Sequence, residues 1–253
     1  MRQMRDEIAR GHRASDAAVL VKARAETELP QQALIDEFLD AAYRLDPRGV
    51  DDLLERSRGE LGVDDAICDV LLPGMRQIGR WWEAGRCDIS HEHLATEAAR
   101  AWLNRLLYLG PSPAHTETVI LTCGPRDFHT LGLESLAVLL AQRGYGCRVL
   151  GARTPARSLA TAVQGTDASA VVMVSHLAVG RRSAVEALRA AQLGSTQLFY
   201  AGNAFATPQA RQSVPGTYLG EDLIAATELV IARLRNGSPR PEQATGREVP
   251  ASR

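Results

Sequence analysis

Val119-Ile120-Leu121-Thr122-Cys123-Gly124-Pro125-Arg126-Asp127-Phe128-His129-Thr130-Leu131-Gly132 is the stretch on which the fold turns. It opens as a short, continuous apolar run and closes at the start of a helical pattern over 131–143. Three later runs have the same character: Cys147-Arg148-Val149-Leu150, Ala170-Val171-Val172-Met173-Val174 and Gln197-Leu198-Phe199-Tyr200-Ala201. Continuous runs of this kind read as strands buried on both faces. Helical stretches separate or follow them at 155–164, 181–193, 207–212 and 220–235. Alternation of strand and helix predicts an open parallel sheet with crossover helices.

Upstream the periodicity is helical. Leu34, Ile35, Phe38, Leu39 and Ala42 form one apolar stripe. Pro47 suits the first turn of a second helix, whose Val50, Leu53 and Leu54 face inward. Asp64 and Asp65 suit the start of a third, where carboxylates favour the helix dipole. That helix contains Pro73-Gly74, which predicts a kink. Gly85 ends it, and Ser90, with His93 and Leu94, opens a fourth helix that reaches about Leu109. Four helices with short connections predict an up-down bundle. Gly110-Pro111-Ser112-Pro113 reads as a linker. Residues 1–30 carry a thin apolar face and are expected to be partly disordered, as is the proline-rich tail over 237–253.

Composition narrows the function classes. The chain has 253 residues, 45% hydrophobic and 23% charged, enough apolar material for a sizeable core. A net charge of −1 argues against gripping nucleic acid by bulk electrostatics. Cys68, Cys87, Cys123 and Cys147 form no CxxC pair, so reduced thiols are expected rather than a zinc or disulfide framework. No apolar run reaches about 18 residues, and the charged N-terminus lacks a signal-peptide pattern. The expectation is a cytoplasmic protein without a membrane span.

An open parallel sheet binds ligands beyond the carboxyl ends of its strands. The loop after the first strand matches neither GxGxxG nor GxxxxGK[ST]. It offers Asp127, His129 and Gly132 instead. A carboxylate two residues from a histidine can accept the imidazole N–H, fixing the tautomer and making the other nitrogen a better metal ligand. The same residues also fit a loop histidine that merely caps a helix. Ser175-His176-Leu177 and Gly202-Asn203-Ala204-Phe205 follow the third and fourth strands, where Ser175 and Gly202 would line a slot or serve ordinary turns. In the helical part, Trp81-Trp82 and then Glu92-His93 could cover a planar ligand. They equally fit a core tryptophan and a solvated helix start.

Together these pieces resemble cobalamin-binding proteins. Asp127-x-His129-x-x-Gly132 matches the DxHxxG signature of the domain that binds B12 base-off, with histidine on cobalt. Ser175-x-Leu177 and Ala201-Gly202 stand where that family has its SxL and GG-type elements, the second one glycine short. Trp82-x9-Glu92-His93 looks like the helical cap of the light-sensing B12 regulators of the CarH/LitR type. The likeness runs from about residue 31 to 235. It implies that His129 is the lower axial cobalt ligand and that Asp127 holds its ring. It implies that Gly132, Ser175, Leu177 and Gly202 line the slot for the displaced dimethylbenzimidazole tail. Trp82, Glu92 and His93 would cover the upper face, which in the photoreceptors holds an adenosyl group.

The resemblance implies an α/β architecture. A four-helix bundle cap (31–110) precedes a Rossmann-like, flavodoxin-like five-stranded parallel sheet with helices on both faces (115–236). Glu83 departs from the histidine that some of these receptors carry directly after the capping tryptophan; His91 or His93 would have to replace it. Residues 1–30 are too few for the DNA-binding domain of the photoreceptors, so no direct DNA binding is expected. The chain is similar in this to the short AerR-type antirepressors, which act on a separate transcription factor. The implied role is a non-enzymatic sensor. Its cofactor would be adenosylcobalamin, with methyl- or hydroxocobalamin as alternatives, and its bundle faces leave room for a homodimer. The competing role is a corrinoid carrier subunit of a methyltransferase system.

Overall fold

The computed structural model describes residues 31–237. The expected disorder of residues 1–30, and of the tail beyond 237, falls outside them.

Helix α1 covers residues 31–43. Helix α2, Pro47–Leu61, starts as its sequence dictates: proline stands in the first turn, and the Asp46 carboxylate accepts from Gly49 N at 3.0 Å. Helix α3, Val63–Asp65, carries Asp64 and Asp65 in its first turn. It runs into a π-helical stretch, Ala66–Leu71, and then into α4, Leu72–Glu83. The irregularity predicted at Pro73-Gly74 thus falls just upstream. The wider π turn precedes Pro73, whose missing N–H then lies in a first turn, where no intrahelical partner is needed. Gly74 lets α4 press against α1: a Cβ there would stand 2.6 Å from the Phe38 ring.

Helix α5, Ile89–Tyr108, opens at Asp88, two residues before the expected Ser90. The Asp88 carboxylate accepts from Ser90 N at 2.9 Å, and His91 Nδ1 lies 3.1 Å from Asp88 N, a reciprocal cap. Trp102 of α5 is fully buried in the bundle and donates from Nε1 to Glu55 at 3.1 Å.

The second half alternates as expected. In chain order it runs β1 (Thr118–Cys123), α6 (Leu131–Gln142), β2 (Gly146–Gly151), α7 (Ala156–Thr166), β3 (Ala170–Val174), α8 (Arg181–Ala190), β4 (Gln197–Ala201), β5 (Thr217–Tyr218) and α9 (Leu223–Gly237). The sheet is wholly parallel in the order β2-β1-β3-β4-β5. In register, Cys123 at the end of β1 faces Val174 at the end of β3, and Val174 faces Ala201 at the end of β4. Helices α6 and α9 cover one face, through residues such as Leu133, Leu140 and Val230. Helices α7 and α8 cover the other, through Leu159, Val163 and Leu188.

Two expectations are corrected, for β2 and for residues 207–212. β2 is an edge strand with Arg148 and Leu150 exposed, so it is not buried on both faces. The fifth strand has only two residues, too few to leave a run. Between 207 and 212 only a 3-10 turn forms, Gln209–Arg211. Val138 and Leu139 on the outer side of α6 belong to the core of the helical bundle. The cap therefore packs directly on the helix that follows the Asp127 loop. Among the described residues no helix is long and apolar enough to cross a membrane. All four cysteines are free, and burial pushes the Cys123 and Cys147 thiols up to about 12.

Gly74→Ala would drive a methyl group into Phe38. Despite alanine's better helix propensity, we expect the overpacking to destabilise the protein by about 1–3 kcal/mol in urea denaturation.

Candidate functional site

The order β2-β1-β3 reverses the direction of the chain's winding beside β1, so the loops after β1 and β3 diverge and leave a crevice at the carboxyl end of the sheet. Both loops carry residues singled out in the sequence.

Residues 124–130 follow β1. Gly124 N donates to Val174 O at 2.9 Å, tying the loop to β3, and Asp127 N donates back to Gly124 O at 3.0 Å. The turn carries Asp127 into the protein, where it is 0% exposed. Its Oδ1 accepts from His129 N at 2.9 Å and from the His129 ring Nδ1 at 2.8 Å. Its Oδ2 accepts from the main-chain N–H of His176, in the loop after β3. Burial pushes the Asp127 carboxyl up, but the hydrogen bonds from His129 and His176 outweigh it and hold the group well below the usual carboxylate range. The carboxylate is an obligate acceptor, so His129 Nδ1 is the donor. Its Nε2 is then the nitrogen with a free lone pair, on a side chain 59% exposed. The bond to Asp127 raises the His129 pKa against a smaller lowering by burial, and the charges of Asp127 and Glu92 raise it further.

Ser175 is fully buried, and its Oγ has no hydrogen-bond partner. Its backbone is held on both sides: Ser175 N donates to Ala201 O at 3.0 Å, and Ser175 O accepts from Ala204 N at 3.1 Å. Gly202 makes that contact possible. It adopts φ +99°, and a Cβ on it would stand 2.3 Å from Ser175 O. Gly132, at the start of α6, is different: a Cβ there would meet nothing within 4 Å. Leu177 is exposed, as is Phe128, over which the Arg153 guanidinium lies at 5.1 Å.

The cap residues are less uniform. Glu92 is the one whose charge is felt at His129, and it accepts from Thr96 Oγ1 at 3.0 Å. His93 Nε2 lies 3.7 Å from Glu92 on a side chain 71% exposed. Trp82 is exposed, whereas its neighbour Trp81 packs onto the bundle core. His91 is committed to capping α5 and stacks on Tyr43 at 5.3 Å between ring centroids. Its place in the cap is thus accounted for by helix chemistry. Arg100 of α5 bridges to the Asp127 loop: Nε donates to Glu134 at 3.2 Å and NH2 to Thr130 Oγ1 at 3.1 Å. Thr130 directly follows His129.

His176 is the residue that sequence reading passed over. One potential ligand atom each from Asp127, His129 and His176 lies within 4.8 Å of the others, so the trio could hold a metal ion. Its only sequence signal was its place inside Ser175-x-Leu177. The chemistry of the site fits a corrinoid held through cobalt. His129 presents a free Nε2 beside a fixed carboxylate, Ser175 offers a buried hydroxyl without a partner, and Gly132 leaves space a side chain would fill.

Asp127→Ala would leave the main-chain N–H groups of His129 and His176 without their acceptor. The expected loss is about 1–3 kcal/mol of stability, read by chemical denaturation of the ligand-free protein.

Residues 34–107 match the family described as B12 binding domain. The HTH-type transcriptional repressors CarH and CarA of Myxococcus xanthus are 34% and 32% identical to the chain. Those alignments cover 51% and 57% of this chain and 42% and 49% of theirs, so the chain spans about half the length of these relatives or less. Dimethylamine corrinoid protein 3 of Methanosarcina acetivorans is 24% identical, over 70% of this chain and 85% of its own. The monomethylamine corrinoid protein of Methanosarcina barkeri superposes with a TM-score of 0.64 at 16% identity, covering 80% of this chain and 99% of its own. That likeness shows the shared fold. Residues 34–107 thus resemble a B12 binding domain, and together the matches support a B12-binding protein.

Proposed function

We propose that the chain is a cobalamin-binding sensor that regulates transcription through a separate partner protein, with adenosylcobalamin as its native form. The observation that carries this reading is the His129–Asp127 pair, with Nδ1 committed to a buried carboxylate and Nε2 free, within reach of the charge of Glu92 on α5. Adenosylcobalamin, when bound, supplies a cobalt–carbon bond that light can break. Everything else falls to the chain. His129 would hold the cobalt through Nε2, and Asp127 would fix its tautomer. Gly132, Ser175, Leu177 and Gly202 border the slot for the nucleotide tail. Trp82, Glu92 and His93 would cover the bound cofactor from the cap, and the exposed Trp82 face would be free to repack. Arg100 connects the cap helix to Thr130 and Glu134, so a shift of the cap is felt beside His129.

In this reading, residues 31–110 serve as cap and 115–236 as cofactor domain. The near-neutral charge favours contact with a protein over a direct grip on DNA. The repressors CarH and CarA are more similar to the chain, where they align, than the corrinoid proteins are. A second reading, a corrinoid carrier for methyl transfer, is favoured by the reach of the dimethylamine corrinoid protein match, 85% of that relative.

Purified protein should take up adenosylcobalamin in the dark and change its visible spectrum on illumination, together with its affinity for a partner. An unchanged spectrum and unchanged association would overturn the sensor, and methyl exchange with a corrinoid methyltransferase would establish the carrier. His129→Ala should weaken cobalamin retention by more than about tenfold. Retention at the wild-type level would refute the lower-ligand assignment.

A further inference from the structure

The Asp127 carboxylate is gripped from two sides. The His129 side is local, two residues along the chain. The His176 side crosses 49 residues and joins the loop after β3 to the loop after β1. The main-chain N–H of His176 meets Oδ2, and its ring Nδ1 stands 3.7 Å from the same oxygen. That Nδ1 is buried and has no hydrogen-bond partner. A buried ring nitrogen this close to a carboxylate is one short side-chain movement from a charge-assisted bond. The His176 ring also flanks the His129 ring, with centroids 5.2 Å apart and planes tilted by 53°.

The backbone that presents His176 is unusually constrained. Ser175 is bonded to Ala201 and Ala204, and Gly202 lies against the Ser175 peptide where no Cβ would fit. Contact therefore runs from Gly202 through Ser175 and His176 to Asp127 and on to His129.

We propose that His176 is a positioning residue for the lower ligand: its ring steadies Asp127 Oδ2 and the flank of His129, so that His129 presents Nε2 to the cobalt of a bound cobalamin. The inference rests on the cobalamin reading above. Partners that orient a metal-bound histidine matter because they fix its ring and tautomer before the metal arrives. Here the main-chain N–H of His176 would set the carboxylate and the ring would set the rotation of His129.

Three substitutions leave the main-chain N–H in place and isolate the ring. His176→Asn keeps a polar atom at the position of Nδ1. His176→Gln keeps one nearer Nε2. His176→Ala keeps neither. Hydroxocobalamin is titrated into each ligand-free protein, reading the dissociation constant and the visible bands that separate histidine-ligated from water-ligated cobalt. Ala and Gln should weaken binding by about tenfold or more and shift the bands toward those of His129→Ala, with Asn within about threefold of wild type. Thermal melts of the ligand-free variants accompany the titrations. Ala and Asn that melt alike yet bind differently support the proposal. Wild-type affinity and bands in all three variants overturn it, as does weaker binding in Ala with histidine-ligated bands retained. A wild-type protein that takes up no cobalamin overturns the cobalamin reading, and this inference with it.

Discussion

A buried carboxylate organises the open end of this sheet. Removing Asp127 from water costs several kcal/mol unless its oxygens are satisfied, and three donors from two separate loops do so. The arrangement works only if β1 and β3 are neighbours in register, because Asp127 and the His176 main-chain N–H must meet at the base of the crevice between their loops. Two of these donors also have a second consequence. The His129 ring N–H fixes a tautomer, and the His176 main-chain N–H ties the two sides of the crevice together. One carboxylate thus anchors both loops and orients the His129 ring.

Around that centre the glycines divide by physical role. Gly202 exists for close approach: its backbone lies on the Ser175 peptide in a left-handed conformation. Gly132 faces open space, where a Cβ would meet nothing within 4 Å. Gly74 does the first job again inside the cap, where it admits Phe38. The cap in turn rests on α6, and Arg100 binds it to Thr130 and Glu134 at the edge of the site. The bundle core takes in Val138 and Leu139 of α6, so the cap is packed on the helix that follows the His129 loop.

Much of the fold was legible because its signals are local. Four strands announced themselves as continuous apolar runs, and Pro47, Asp64 and Gly85 mark helix ends by their own backbone preferences. β5 was not legible, since two residues leave no pattern and their strand character comes from pairing with Phe199 and Tyr200. The cap of α5 at Asp88 needed the return contact of His91 to be recognised. The π turn before Pro73 has no compositional signature; the packing of Phe38 on Gly74 belongs to the same segment and is visible only in three dimensions.

The site divides the same way. Sequence by itself determined the Asp127–His129 pair, because two residues of separation bring a carboxylate and an imidazole together in one loop. It determined too that Ser175 and Gly202 stand at strand ends. Only the tertiary structure decided what those ends do. It set Gly202 against the Ser175 peptide, left the Ser175 hydroxyl buried without a partner, and turned His176 onto a carboxylate 49 residues away. The physical reason is that hydrogen bonds between loops depend on strand order and register. These are properties of how the sheet is assembled, and no single segment encodes them.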